Sequence, residues 1–500
     1  MAGRIDLRAP VVVGVGQTSQ RVPPEEAKPP IELFEDAAHA AEADAGAPLL
    51  GRTDIVAVVQ IASWRYPDPG ALLARRLGIT PRATAVTTVG GNSPQLLVNE
   101  FADRIERNEC DVVLIGGAES MYTRWRARRE PRVDLTWDTG DDDPCTWVIG
   151  DDRPGINDEE MRHGALAPTV VYPLFETALR AEAGRGVGEH QQHVSELWST
   201  FAAVAAGNPH AWSRTAYSPE EIRTVTPDNR MVVFPYAKRM CSNIDVDQGA
   251  AIILCSYEAA RAAGVPDDRI VFFHAGAQAH DHWFVTERDS LARSPGVRIT
   301  VHDALSAANV GVDDVAHFDL YSCFPSAVQI AMREIGLVDA SRALTVTGGL
   351  GFAGGPVNNY PTHAIACMVD VLRANPGDVG LTTALGWYVT KHAAGVWSTR
   401  PPEAGLRRLD PAESQAQVDR LPRRESAGAV DGEVVVEATS VAFERDGTSS
   451  SGLVTALTRD GRRAIAVCRD AAMLGAFTQA PWEGRTIRLA VQDSVNQVVG

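Results

Sequence analysis

The sequence has no two cysteines spaced as CxxC, and cysteine is scarce in its 500 residues. The cysteines are odd in number and stand singly, at Cys110, Cys145, Cys241, Cys255, Cys323, Cys367 and Cys468. This scatter argues against a structural zinc site and against a disulfide framework. We therefore expect no metal site and no tightly bound cofactor, and a reducing cytoplasm as the location.

Long apolar runs and an excess of positive charge are also missing. No stretch approaches the ~18 apolar residues of a membrane span, and Met1–Pro10 lacks the apolar region of a secretion signal. The 64 Asp and Glu outnumber the 47 Lys and Arg, which gives a net charge of −17. Because nucleic acids bind basic surfaces, we expect no nucleic acid as a partner. Because no apolar span is present, we expect no membrane insertion. The acid-rich run from Asp138 to Glu160 is predicted to be a solvated loop.

Apolar runs alternate with amphipathic segments along most of the chain, which is long enough for two or three domains. This alternation predicts a parallel sheet covered on both faces. The predicted strands are Val11–Gln17, Asp54–Ala62, Ala83–Val89, Val112–Ile115, Ala251–Cys255, Ile270–Ala275, Asp319–Ser322, Ala343–Thr347, Val379–Ala384 and Ala394–Ser398. Ser93 is predicted to cap the helix after the third strand, with Pro94 at its first position.

A local pattern occurs twice. Thr87–Gly91 reads Thr-Thr-Val-Gly-Gly and leads through a helix to Val112–Gly117. Thr345–Gly349 reads Thr-Val-Thr-Gly-Gly and leads through a helix near Tyr360–Arg373 to Val379–Gly386. Such self-similarity predicts two copies of one βα unit, which we assign to residues 1–121 and 244–400.

The remaining segments differ in composition. Residues 122–243 are irregular and rich in Pro, Arg, Trp and Asp, and we interpret them as an insertion that covers one face of the core. Residues 401–425 are interpreted as a linker. Residues 426–500 are predicted to form a small β-barrel of the oligosaccharide/oligonucleotide-binding (OB) type, with hairpin turns at Asp446–Gly447 and Asp460–Gly461. That fold by itself implies no nucleic-acid role.

Three segments are informative: Cys110–Met121, with its Gly-Gly-x-Glu-Ser-Met turn, Asp247–Ala251, and Ser322–Phe324. Together they resemble the thiolase superfamily. The sterol-carrier-protein thiolases are the nearer branch, and with the extra C-terminal domain the chain resembles thiolase-like proteins of type 1. The resemblance implies an α/β thiolase fold of two βαβαβαββ repeats in five layers (α/β/α/β/α). It also implies a coenzyme A (CoA) thioester as ligand and, nominally, an acetyl-CoA acetyltransferase activity in lipid metabolism.

The catalytic residues that the family would place in this chain are replaced. A thiolase uses a nucleophilic cysteine, a second cysteine as acid and base, and a histidine and an Asn or His that stabilise the oxyanion. The matching positions here hold Gly91, Ala384, Gly355 and Tyr321. Thiolysis through a cysteinyl enzyme is therefore not expected, although Gly-rich strand ends leave room for a thioester.

Other side chains could supply a different chemistry. Tyr321 resembles the tyrosines of thiolase-like retro-aldolases, which cleave β-hydroxyacyl-CoA; alternatively it is a packed core residue. Lys391 and His392 are predicted to lie in the turn before the last strand, as general base or phosphate ligand, or as a solvated pair. Cys323 is a third catalytic candidate, or a small buried hydrophobe. Tyr360 and His363, together with Gly354 and Gly355, are predicted to line the same cavity.

Two functions remain open from the sequence. The chain is either an enzyme, an acyltransferase or a retro-aldolase, or a non-catalytic scaffold that binds acyl-CoA or a protein. Convergence of Tyr321, His392 and Tyr360 on a reachable pocket favours the enzyme, and sealed side chains favour the scaffold. The expected assembly is a monomer or a homodimer.

Overall fold

The computed structural model describes residues 5–129, 133–141, 143–337, 342–403, 405–407 and 409–499. Part of the predicted acid-rich loop (Asp142) and the first four residues of Met1–Pro10 lie outside them. The helices are α1 Pro30–Ala45, α2 Pro69–Leu77, α3 Ser93–Glu106, α4 Met121–Ala127, α5 Asp158–Arg162, α6 Pro168–Glu182, α7 Val187–Gly207, α8 Pro219–Arg223, α9 Tyr257–Ala263, α10 Pro295–Ala307, α11 Pro325–Ile335, α12 Tyr360–Ala374, α13 Pro411–Asp419 and α14 Ala471–Gln479. Among these described helices, none is both long and apolar enough to cross a membrane.

The strands fall into two sheets. They are β1 Pro10–Ser19, β2 Ile55–Val58, β3 Ala83–Thr87, β4 Val112–Ser120, β5 Trp147–Ile149, β6 Met231–Phe234, β7 Tyr236–Ala237, β8 Asp247–Ser256, β9 Val271–His280, β10 His317–Asp319, β11 Val379–Gly386, β12 Lys391–Ser398, β13 Gly432–Phe443, β14 Ser449–Leu457, β15 Arg463–Cys468, β16 Thr486–Gln492 and β17 Val495–Val499. The large sheet has the order β10-β11-β12-β9-β1-β8-β4-β2-β3-β5.

The large sheet contains two similar halves, as the predicted repeat requires, although β8 of the first half comes from the segment after residue 244 that was assigned to the second copy. One half runs β2-β4-β8-β1 and the other β10-β11-β12-β9, each with a parallel pair followed by two antiparallel pairings. The halves meet at the short pairing of β1 with β9. The predicted parallel sheet is therefore mixed, because the last strand of each half returns antiparallel to its neighbours.

The five predicted layers are also present. The helices α3 and α12 contact strands of both halves and each other, and so form the middle layer. The outer layers are α1 and α2 on the first half, and α10 and α11 on the second. All nine residues of β4 are buried, as expected for a strand covered on both faces.

The Gly-Gly-x-Glu-Ser segment belongs to β4, and the sequence prediction of a turn there is wrong. β4 runs antiparallel to β8 as far as Ser120. A Cβ built at Gly116 would overlap Ala250 O and lie 2.7 Å from the Phe34 ring. The glycine is therefore required by close packing between β8 and α1, because any side chain there would collide with backbone.

The predicted strand Ala343–Thr347 is absent, and the predicted strand Asp319–Ser322 overlaps β10 only at Asp319. The carboxylate of Asp319 accepts hydrogen bonds from Val346 N and Thr347 N, both at 3.1 Å, and from the Thr345 hydroxyl at 2.8 Å. One backbone hydrogen bond joins the two segments as it would in a sheet, from Leu320 N to Leu344 O at 2.9 Å. A side chain therefore satisfies the backbone donors that a neighbouring strand would otherwise pair.

The C-terminal strands close into the predicted barrel. They follow the order β13-β14-β15-β17-β16 and return to β13, with α14 between β15 and β16. Gly447 and Gly461, with φ of +89° and +83°, lie in the two hairpin turns predicted from Asp-Gly pairs. The sequence did not predict α14 or β17. The insertion adds β6 to the barrel sheet through Phe234 and Val441.

Buried polar groups fix the barrel to the rest of the chain. Arg180 of α6 pairs with Glu483 at 2.6 Å, with side chains 2% and 6% exposed. Arg463 of β15 is fully buried and donates to Val285 O at 3.1 Å and to Thr286 O at 3.4 Å. The Arg463 guanidinium also pairs with Glu437 of β13 at 2.5 Å. These contacts use a face of the barrel that is therefore closed to other ligands.

The acid-rich run is not simply a solvated loop. Its residues Trp147–Ile149 form β5, which pairs in parallel with the free edge of β3. Glu160 is buried and accepts hydrogen bonds from Thr286 N at 2.8 Å and Asn157 N at 3.2 Å. Burial raises the pKa of Glu160, and the hydrogen bonds oppose that rise. The run therefore covers a sheet edge and anchors the insertion.

Candidate functional site

Gly91 and the Tyr321 side chain are in close contact in the core. Gly91 lies just before α3, and Tyr321 follows β10 by two residues. A Cβ built at Gly91 would overlap the Tyr321 hydroxyl oxygen and lie 2.5 Å from Leu385 O. Burial raises the pKa of Tyr321 well above its usual range, so the phenol stays protonated. Tyr321 thus fills the space that a nucleophilic side chain at position 91 would need.

A cavity of about 20 Å³ remains beside Tyr321, and we call it the tyrosine cavity. It is lined by Tyr321, Ala384 and His392, and across from them by Val297 and Thr300 of α10. Such a volume holds one water molecule and no acyl group. Three predicted site residues therefore converge, but on a space too small for a thioester.

His392 lies in β12 and is buried, so its predicted place in a turn is wrong. Its Nε2 is 3.0 Å from Asp281 Oδ2 and 3.3 Å from the Ser294 hydroxyl, which donates to the same carboxylate oxygen. Burial would raise the pKa of Asp281, but the His392 hydrogen bond and the Arg288 charge lower it overall. Because serine and aspartate share one ring nitrogen, the three do not form a Ser-His-Asp relay, which uses both nitrogens.

Lys391 also lies in β12 rather than in a turn. Its ammonium donates to Val89 O at 3.0 Å and to Asp151 O, and sits 5.6 Å from the centre of the Trp283 ring. Burial lowers the pKa of Lys391. The side chain therefore ties the end of β3 to the insertion, and its donors are directed at backbone carbonyls.

Tyr360 and His363 lie near this region but do not line the tyrosine cavity. The Tyr360 ring packs edge-on against Tyr321 at 5.8 Å between centres, and its hydroxyl donates to Asp319 Oδ1 at 3.4 Å. His363 Nδ1 is 2.8 Å from Gln17 Oε1. Burial, helped by the nearby His210, lowers the pKa of His363 to about 3, so its ring is neutral near pH 7.

Gly354 and Gly355 are likewise outside the tyrosine cavity. Gly354 has a φ of +107°, and a Cβ there would overlap Gln248 Oε1. A Cβ at Gly355 would lie 3.3 Å from Asn243 O and 3.4 Å from Leu350. The position of the family histidine is thus bordered by the insertion and Leu350, and the predicted shared cavity does not include it.

Cys323 is buried beside Tyr172. Burial raises the pKa of Cys323 to about 12. A thiol is nucleophilic as its thiolate, so Cys323 is inert near neutral pH in this environment. Its packing matches the small buried hydrophobe that the sequence left as the alternative.

Two asparagines that sequence reasoning missed hold the glycine-rich strand ends. Asn358 accepts from Gly90 N at 3.0 Å and donates to Gln60 O at 2.9 Å. Asn359 donates to Gly117 O at 2.6 Å. The Asn-Asn pair directly after Gly354-Gly355-Pro356-Val357 was the available signal, because adjacent amides beside glycine turns are suited to pairing backbone.

The predicted role of Ser93 is wrong. Ser93 is the first residue of α3 and Pro94 the second, and no side chain caps this helix. The Ser93 hydroxyl instead donates to Thr88 O at 3.0 Å. Ser93 therefore stabilises the turn between β3 and α3 that brings Gly91 to Tyr321.

Residues 413–494 match the family model described as the thiolase-like protein type 1 additional C-terminal domain. A crystal structure of a monomeric SCP2-thiolase-like protein type 1 from Mycobacterium smegmatis is 33% identical, with a TM-score of 0.86. The match covers 99% of this chain and 100% of that chain. A search of curated proteins found no match.

More distant structures share the fold. The Ltp2–ChsH2(DUF35) aldolase has a TM-score of 0.60 at 18% identity, covering 80% of this chain and 99% of its own. Human mitochondrial 3-ketoacyl-CoA thiolase in complex with CoA has a TM-score of 0.56 at 18% identity, covering 79% and 99%. At these identities the likeness concerns the fold alone.

Proposed function

Because the chain belongs to the SCP2-thiolase-like proteins of type 1, we propose that it binds an acyl-CoA thioester without catalysing thiolysis. The absence of thiolysis is supported by the overlap of the Tyr321 hydroxyl with any side chain at Gly91. The binding of an acyl-CoA is supported by the fold, which a CoA-bound thiolase shares. Only about 20 Å³ is open beside Tyr321, so the acyl group enters after a local opening.

The segment that would open, residues 386–390, is strained and is held by hydrogen bonds such as those from the Tyr172 hydroxyl to Trp387 O at 2.8 Å and from the Tyr388 hydroxyl to Leu166 O at 2.9 Å. Trp387 and Val389 both have φ of +56°, which costs energy for residues that carry a Cβ. The backbone of Gly155 packs on the Trp387 ring, and the Lys391 ammonium bonds the carbonyl of Asp151. Ligand binding that releases this strain would move the 386–390 segment and the 151–155 segment together.

We also propose a monomer in the cytoplasm. The edge of β3 is covered by β5 of the same chain, which removes one surface for sheet extension. The cysteines are all free and six of the seven are buried, which suits a reducing compartment.

Isothermal titration of the full chain tests the proposal. CoA, acetyl-CoA and a long β-hydroxyacyl-CoA are titrated separately, and we expect one ester to bind at about one ligand per chain. In parallel, a 3-ketoacyl-CoA with free CoA should give no thiolysis product. Absence of heat with all three ligands would remove the acyl-CoA proposal and leave a protein partner as the scaffold's target.

A retro-aldolase is the second candidate, favoured by the shared cavity of Tyr321 and His392. In that reaction the substrate hydroxyl loses its proton, the Cα–Cβ bond breaks, and the α-carbon of the shorter acyl-CoA takes up a proton. Incubation with the β-hydroxyacyl-CoA should then release a carbonyl product, and Tyr321→Phe should abolish it while retaining binding. Binding without product supports the non-catalytic proposal.

A further inference from the structure

A second cavity, of about 320 Å³, lies at the start of α10, and we call it the arginine cavity. Its lining includes Arg288, Arg293, Arg298, Pro295, Leu421 and Pro422. Asp281 also lines it, and the His392 ring bonded to Asp281 lines the tyrosine cavity. That pair therefore separates the two spaces. The volume is at the lower end of small-molecule sites, roughly 300–1,000 Å³.

Two of the arginines have more donors than their partner can accept. Arg293 and Arg298 share the carboxylate of Glu334, at 3.6 Å and 3.3 Å, and both side chains are 44% exposed. Glu334 also accepts from Ser294 N at 3.1 Å. Each guanidinium carries five N–H donors, so a single carboxylate leaves most of the ten unpaired. The surplus is available to an anion.

Arg288 is the buried member of the set. It is 4% exposed, donates from Nε to His282 O at 3.3 Å and from Nη2 to the Thr390 hydroxyl at 2.9 Å. Its Nη1 has no acceptor among the described residues. Because this nitrogen is not fully buried and Arg288 lines the cavity, it can donate to an anion bound there.

Two acids line the cavity, Asp281 and Asp289, and of these Asp281 is the buried, hydrogen-bonded one. Asp281 accepts from Gly296 N at 3.0 Å and bonds His392 and Ser294 through its other oxygen. Asp289 is 61% exposed and faces Arg424 at 3.8 Å. The first amides of α10 are also used, because Gly296 N and Val297 N bond Asp281 and Ser294. The arginines, and not the helix end, therefore constitute the site.

The barrel holds the cavity in shape. Arg463 donates to the carbonyls of Val285, Thr286 and Arg288, and Nη2 of the same group donates to Asp289 O at 3.4 Å. The backbone on either side of Arg288 is thus fixed from the C-terminal domain. Such preorganisation lowers the ordering cost of binding.

We propose that the arginine cavity binds the phosphate group of a small molecule, with Arg288, Arg293 and Arg298 as its ligands. Guanidinium forks bind phosphate oxygens in pairs, which favours phosphate over halide. The apolar edge formed by Pro295, Leu421 and Pro422 leaves room for a short organic portion. The site stands apart from the proposed function, because it needs no acyl group and no opening at Tyr321.

Titration of the full chain with inorganic phosphate, at ionic strength held constant with chloride, tests this site. We expect saturable binding that weakens at least tenfold in Arg293→Gln/Arg298→Gln. The control Arg488→Gln removes an exposed barrel arginine that pairs with Asp431, and should bind as the unchanged chain does. Arg293→Gln alone, at a half-exposed position, should weaken binding less than the double variant.

Competition identifies the phosphate source. If CoA displaces inorganic phosphate, the phosphate of a nucleotide occupies the cavity. If CoA does not displace it, the ligand is a smaller phosphate ester. Both results support the site. Absence of phosphate binding, or equal binding in the double variant, overturns it. Acyl-CoA binding that survives the double variant would separate this site from the proposed function.

Discussion

At the scale of single residues, the Tyr321 side chain excludes any side chain at position 91. A cysteine at position 91 cannot coexist with the Tyr321 ring, because its Cβ would overlap the hydroxyl. The two replacements therefore act as one change in packing. The carbonyl oxygen of Leu385 adds to the exclusion, because it would lie 2.5 Å from a Cβ at position 91.

A double-mutant cycle measures this exclusion. Gly91→Ala should lower the free energy of unfolding by about 1–3 kcal/mol, the usual cost of overpacking. Combined with Tyr321→Ala, which removes the hydroxyl and ring, the cost should be less than additive by at least ~0.5 kcal/mol. Urea unfolding of the four proteins gives the coupling.

Gly188→Ala is a matched control for that cycle, because no atom lies within 4 Å of a Cβ built there. It should be neutral or slightly stabilising, by up to ~1 kcal/mol. Strictly additive costs for Gly91→Ala and Tyr321→Ala would contradict the packing argument.

The sequence predicts replacements at Gly91, Tyr321, Gly355 and Ala384 from the motifs that flank each position. The contact between positions 91 and 321 could not, since side-chain overlap depends on how two distant loops meet. Likewise, Lys391 and His392 are polar residues that the sequence places in a turn, yet in β12 they bond Val89, Asp151 and Asp281. Local composition does not reveal partners that come from other elements.

At the scale of elements, Asp319 replaces a strand. Its carboxylate pairs the backbone of Val346 and Thr347, where the first half of the fold has β3 beside β2. Apolar character in Ala343–Thr347 predicts a strand, and only the buried carboxylate explains why none forms. Burial raises the pKa of Asp319, although the hydrogen bonds from Thr347 and Thr345 oppose that rise.

Asp319→Ala should therefore lower the free energy of unfolding by about 2–6 kcal/mol, because the N–H groups of buried Thr347 and half-buried Val346 lose their acceptor at roughly 1–3 kcal/mol each. Asp319→Asn keeps an acceptor oxygen and should cost less. Hydrogen exchange at Val346 and Thr347 should accelerate in the alanine variant. Asp313→Ala, at an exposed position in the same part of the chain, serves as the control. Unchanged exchange in Asp319→Ala would show that other contacts hold the segment.

At the scale of the whole molecule, the barrel is part of the core rather than an appendage. Arg463→Met removes the donors to the 285–288 carbonyls and leaves Glu437 unpaired. Because a buried ion pair is broken, the free energy of unfolding should fall by about 3–5 kcal/mol. Calorimetry should then resolve two unfolding transitions where the unchanged chain shows one. Arg488→Met, at an exposed pair, should retain a single transition. One transition at unchanged temperature in Arg463→Met would mean that the barrel docks without Arg463.

The pairing of Phe234 with Val441 has a consequence during synthesis. The two strands are separated by roughly two hundred positions, so β6 leaves the ribosome well before its partner β13 exists. At about 5–20 residues per second, that interval is on the order of 10–40 s. During this interval α6 and Arg180 of the nascent insertion are uncovered. Their apolar surface is then accessible to chaperones. Completion of the barrel sheet therefore waits for the synthesis of β13.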